Sequence, residues 1–312
     1  MNKKIFGFAL VFMFLVVLAT PLTSTVLAKK ATGTDMGDYT EYVGILGGAD
    51  YIIYMPKSWN GRLIMGCHGY NAMGDPHPEL LFDAVAKELA SAGYAFAASN
   101  YNGGERAYLV KEGIIRIHQL TEYIVDNYHV TDKIFVIGAS MGGQIALNLA
   151  RKYPNLYSGV LDICGLKDMF AHYEYDQIWI TKPVNEIRAL FGIPATVPDE
   201  TIMFLKMFVA QVEADTIEAY GGTPIEKPKA YERYDPVFNA ELRIPTISLL
   251  GGIDVLVPMF CHLDFEAAVA AAGSSDLYRM HIVPMGGHCD GPIQAERYAA
   301  IMELMAWSDS LD

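Results

Sequence analysis

The sequence is short of positive charge, short of cysteine and free of repeats, and each scarcity removes a class of function. Against 36 Asp and Glu stand 23 Lys and Arg, a net charge of −13 at pH 7. A surface with that balance repels polyanions, so neither nucleic acid nor an anionic membrane is an expected partner. Four cysteines, Cys67, Cys164, Cys261 and Cys289, are too few to frame a fold with disulfides, and none belongs to a C-x-x-C pair, so no metal centre is expected. Without repeats, low-complexity tracts or a linker, no second independent domain is expected.

Only one long apolar run occurs, and it lies at the N-terminus. Lys3 and Lys4 precede the almost wholly apolar stretch 5–19, and Val26 and Ala28 put small residues at positions −3 and −1 of a cleavage site. Residues 1–28 therefore read as an export signal, with 29–312 as the mature domain, extracytoplasmic and free of the membrane. An uncleaved anchor is the competing reading, because the run is only a little shorter than the ~20 residues that span a bilayer. Thr20, Pro21, Thr23, Ser24 and Thr25 after it favour cleavage. Export permits a disulfide. Cys164, which closes an apolar strand, and Cys289 are the pair to consider, with two buried free thiols as the other reading.

Beyond the signal, β-branched runs alternate with helical patterns, the mark of an α/β fold whose mostly parallel central sheet is flanked by helices. Strands are expected at 51–54, 63–67, 94–99, 133–137, 159–163, 246–250 and 278–283, with an earlier one around 41–45. Helices are expected at 79–92, 108–128, 142–152, 259–272 and 292–307. One interval, about 168–236, separates two strands by far more than an ordinary connection. It reads as a cap insertion, with a helix at 202–212.

The stretch Gly138-Ala139-Ser140-Met141-Gly142 satisfies G-x-S-x-G, between a buried-strand sequence and an amphipathic helix. A turn that tight needs glycine on both sides of the serine, and it lifts Oγ to a helix N-terminus, where developing negative charge is favoured. Ser140 is thus the candidate nucleophile. A base and an acid are expected later, in the order Ser, Asp, His. His288 follows the last strand behind Gly286-Gly287, and Asp254 follows the strand 246–250; Asp168 and Asp290 are the rival acids. An oxyanion hole would take one amide from Met141 and one from the loop Cys67-His68-Gly69-Tyr70, with Tyr70 the first choice and Gly69 the second. The Tyr70 ring either packs on an acyl group or plugs its loop. Tyr101, beyond the strand 94–99, and Tyr173 and Trp179 in the early cap are candidate substrate contacts; a cap that merely packs its own small core explains the latter two equally well.

Taken together, "MGCHGY", "GYAFAASNY", "GASMGG", "GGIDVLVP" and "GGHCDG" resemble the α/β-hydrolase family in order and approximate spacing, through most of the mature chain. The elbow and the H-G loop are similar to those of secreted feruloyl esterases and polyester depolymerases, and equally to prolyl-oligopeptidase-type peptidases. The resemblance implies a serine hydrolase working through an acyl-enzyme on a small-molecule or polymeric ester, without metal or organic cofactor. Peptides are the alternative substrate. A non-catalytic binding protein on the same scaffold is the remote one, and the intact set of Ser140, Asp254 and His288 speaks against it.

Overall fold

The computed structural model describes residues 29–311 apart from residue 103. The expected export signal at 1–28 lies outside the described residues. In chain order the elements are β1 (Lys29–Asp35), β2 (Tyr39–Leu46), β3 (Ala49–Pro56), β4 (Leu63–Cys67), α1 (Asp83–Ser91), β5 (Ala95–Ser99), α2 (Val110–Tyr128), β6 (Ile134–Ala139), α3 (Met141–Lys152) and β7 (Gly159–Ile163). There follow α4 (Met169–Thr181), α5 (Val184–Leu190), α6 (Asp199–Tyr220), α7 (Pro228–Glu232), β8 (Thr246–Gly251), α8 (Met259–Ala271), β9 (Tyr278–Val283) and α9 (Pro292–Asp309).

These strands form a nine-stranded sheet in the order β1-β2-β3-β5-β4-β6-β7-β8-β9. The β1–β2, β2–β3 and β3–β5 pairs are antiparallel, and every pair from β5 through β4 to β9 is parallel. Strands β4, β5, β6, β7 and β8 are buried along their whole length, as a parallel sheet covered on both faces requires. Successive residues feed opposite layers. Met65, Val136 and Val160 pack with Ile117 of α2, Ile145 of α3 and Phe265 of α8. Their neighbours Ile64, Phe135 and Leu161 pack with Leu89 of α1 and Leu304 of α9.

Between β7 and β8, in the interval read as an insertion, lie α4 to α7. They carry a small core of their own, in which Tyr175, Trp179, Ile187, Ile202 and Val209 meet. Asp168 starts α4 as its N-cap, its Oδ1 accepting from the amides of Phe170 and Ala171 at 3.1 and 2.8 Å. Among the described residues no helix is long and apolar enough to cross a membrane.

Candidate active site

Ser140 is the single residue between β6 and α3, and its backbone has φ 57° and ψ −124°, a conformation that non-glycine residues rarely adopt. The turn is held where it is because α3 starts against the end of β4. A Cβ on Gly142 would collide with the backbone carbonyls of Cys67 and His68, and one on Gly138 would collide with the backbone of Gly142. The Ser140 amide donates to Ile163 O of β7 at 2.8 Å, fixing the elbow to the neighbouring strand.

The loops after β8 and β9 are tied to each other by Gly252 N donating to Val283 O (2.8 Å) and Ile253 N to Gly286 O (3.0 Å). One loop carries Asp254, the other His288. Asp254 is 7% exposed; its Oδ1 accepts from the amides of Leu256 (2.9 Å) and Val257 (3.0 Å), which leaves Oδ2 facing His288 Nδ1 at 2.8 Å. His288 Nε2 lies 2.8 Å from Ser140 Oγ. Burial works against a charge on His288, but the hydrogen bond and charge of Asp254 outweigh it and raise the imidazole above its ordinary value. The rival acids stand elsewhere: Asp168 is occupied in capping α4, and Asp290 lines the cavity beside His288.

The loop after β4 faces the elbow. His68 is buried, stacks on Tyr101 with ring centroids 4.0 Å apart, and has one ring nitrogen 2.7 Å from Gly69 O. Desolvation pushes His68 down to about 4, so it stays neutral. Gly69, Tyr70 and Met141 all line a cavity of about 260 Å³ together with Ser140 and His288. The Tyr70 hydroxyl donates to Asp215 Oδ2 of α6 at 2.5 Å, and Arg106 Nε lies 3.1 Å from the same oxygen, so the Tyr70 ring is anchored to the cap at the cavity wall.

Three expected substrate contacts lie off this cavity. Tyr101 is fully buried under the β4 loop, its hydroxyl donating to His68 O at 3.0 Å. Trp179 stacks on Phe191 at 5.1 Å inside the cap core. Tyr173 is half-buried on the same helix, away from the lining. Instead the cap contributes His172 and Asp176 from α4 and Phe208, Val209 and Val212 from α6. His172 and Asp176 stand one helical turn apart in the sequence, a spacing that places them side by side, but only the cap's docking aims them at the cavity.

Of the two readings of Cys164 and Cys289, bridge or free thiols, the structure has the free thiols: all four cysteines are free and buried. The two residues are close, their Sγ atoms lying within 4.8 Å of each other and of a His288 nitrogen. The thiols interact with each other and also with backbone carbonyls, Cys164 with Leu249 O (3.7 Å) and Cys289 with Ile163 O (3.4 Å).

A second polar cluster lies beneath the elbow. Lys167 is fully buried, ion-paired with the equally buried Asp162, 2.7 Å from His262 Nδ1, and donating to Gly165 O at 3.2 Å. Burial and the adjacent ammonium push His262 down to about 2, which keeps it neutral. Ser248 Oγ donates to Asp162 Oδ2 at 2.9 Å.

Sheet order, helix placement and a serine on a strained strand-to-helix turn define this molecule as an α/β-hydrolase. A family model described as "Putative esterase" matches residues 90–249, just over half of the chain. The chain belongs to this esterase family and is a carboxylic ester hydrolase. Its fold is similar to that of an esterase from Pyrococcus furiosus (TM-score 0.56, 15% identity, 92% of this chain and 93% of that one). It is also similar to acetyl xylan esterase 1 from a Thermoanaerobacterium species (TM-score 0.55, 15% identity, 91% and 88%). The acylaminoacyl peptidase of Pyrococcus horikoshii aligns with a TM-score of 0.58 at 16% identity over 88% of this chain, which spans 40% of that protein's length. At such identities the likeness is one of fold. No curated protein matches by sequence.

Proposed function

We propose that Ser140, His288 and Asp254 are the nucleophile, general base and orienting acid of a serine esterase, and that the protein is exported to act on external small, aromatic or polymer-derived esters. The observation that carries the catalytic reading is the relay of two 2.8 Å contacts, from Ser140 Oγ to His288 Nε2 and from His288 Nδ1 to Asp254 Oδ2. His288 takes the serine proton as Oγ attacks the ester carbonyl, and Asp254 holds the tautomer and stabilises the imidazolium. The amides of Met141 and Tyr70, with Gly69 as the second choice in the loop, stabilise the oxyanion; losing one such donor typically lowers turnover by ~10²–10³. His288 then protonates the departing alcohol, and water activated by the same imidazole releases the acid from Ser140.

Export rests on the pattern of residues 1–28, and the acidic net charge fits a protein that binds neither nucleic acid nor an anionic membrane. Hydrolysis of short p-nitrophenyl esters by the wild type and its loss in Ser140→Ala test the catalytic reading. Peptide hydrolysis is a second reading, favoured by the fold likeness to acylaminoacyl peptidase. A kcat/KM for aminoacyl-naphthylamides above that for the matching esters would select it.

A further inference from the structure

We infer that the cap-side end of the cavity is a subsite for a primary ammonium group, so that the enzyme takes esters whose acyl or alcohol part ends in an amine; the inference rests on the reading of Ser140 as nucleophile. One cavity of about 260 Å³ is lined by Ser140 and His288 and also by His172 and Asp176 of α4. Asp176 is 2% exposed. Its Oδ2 sits 3.2 Å from His172 Nδ1, while its Oδ1 is buried without a hydrogen-bond partner. Glu213 of α6, 6% exposed, is not part of the cavity lining, but its charge acts on both His172 and Asp176, and its Oε1 is also buried without a partner. Buried carboxylate oxygens are costly unless a donor meets them, and a ligand is one way the donor arrives.

Charge decides what kind of donor. The two carboxylates share the His172 imidazolium, whose Nε2 is 2.7 Å from Leu256 O. Although burial opposes it, Asp176 raises His172 to about 9, so this cation is permanent near neutral pH. Burial and then the Asp176 charge push Glu213 up to about 7, the behaviour of a carboxyl that lacks a second cation. A neutral hydroxyl would satisfy one oxygen and leave that deficit. An ammonium carries three donors and the missing charge: it can donate to Asp176 Oδ1, and its charge favours the ionised form of Glu213. The same cavity wall carries the apolar side chains of Phe208, Val209, Val212, Leu256 and Val257, which suits a methylene spacer.

The test compares ω-amino alkanoate methyl esters of four to eight carbons with the matching unsubstituted esters at neutral pH. At one chain length the amino ester should exceed its partner in kcat/KM by roughly tenfold or more, the effect of one hydrogen bond to a charged group. Asp176→Asn and Glu213→Gln should each bring that ratio back to about one. Hexylammonium should inhibit competitively and hexanol should not. Equal rates for the paired esters, or equal inhibition by hexylammonium and hexanol, would overturn the subsite while p-nitrophenyl acetate turnover left the catalytic reading intact. If no ester is turned over at all, calorimetric binding of hexylammonium decides alone: binding lost in Glu213→Gln supports the subsite, and no binding to the wild type overturns it. Circular dichroism reports whether each variant is folded, and Glu213→Gln serves if Asp176→Asn is not.

Discussion

His288 Nδ1 lies 2.8 Å from Asp254 Oδ2, although 34 positions and a whole α/β unit separate the two residues in the chain. The contact exists because parallel strands β8 and β9 end at one edge of the sheet and their following loops bond to each other. The same edge carries the Ser140 elbow at the end of β6. Open α/β sheets hold their sites at this edge, where loops from several strands converge.

That contact sets the pH dependence. The base must be neutral to accept the serine proton, and Asp254 raises the His288 pKa, so kcat/KM should fall as pH drops through a value above 6.5, the unperturbed imidazole. Asp254→Asn removes the raising influence and leaves the burial that lowers it. The acid limb should move below 6.5, and kcat should fall by about 10⁴. A pH–rate profile of both proteins checks this.

The elbow gives a second prediction. In Gly142→Ala the added methyl meets the carbonyls of Cys67 and His68, which carry the loop opposite the serine. Overpacking of this kind costs about 1–3 kcal/mol, and here it also pushes Ser140 away from Gly69 and Tyr70. Urea unfolding should show the lost stability, and kcat should fall with KM little changed.

Much of this was legible in the sequence, for reasons particular residues make plain. Strands β4 and β7 begin and end where their apolar runs do, because continuous burial leaves a continuous signal, and β9 keeps its expected bounds although it is only partly buried. β1 was invisible: Lys-Lys-Ala-Thr-Gly-Thr-Asp has no apolar alternation and is held by backbone pairing to β2 at the sheet edge. Helix α4 was missed because it is packed on more than one side, Trp179 into the cap core and His172 and Asp176 towards the cavity, so it shows no single apolar stripe. Glycine, serine and histidine at strand ends announced the candidate site. The cavity's far wall did not announce itself, since nothing local tells Tyr173 from His172 until the cap is docked.

The buried Lys167–Asp162 pair yields a third prediction. Lys167→Met leaves a buried carboxylate without its cation, which typically costs about 3–5 kcal/mol. Adding Asp162→Asn removes the stranded charge and should recover a large part of that loss. Denaturant midpoints of the two variants and the wild type check it; equal midpoints for the two variants would mean that a stranded carboxylate is not what destabilises Lys167→Met.

The central claim is that Ser140 is the nucleophile, and covalent labelling tests it most directly. A fluorophosphonate should add one adduct to the wild type, located by peptide mass spectrometry on Ser140. It should add none to Ser140→Ala, whose kcat on short p-nitrophenyl esters should be lower by about 10⁶. An adduct on another residue, or a Ser140→Ala protein that hydrolyses those esters at the wild-type rate, would contradict the account.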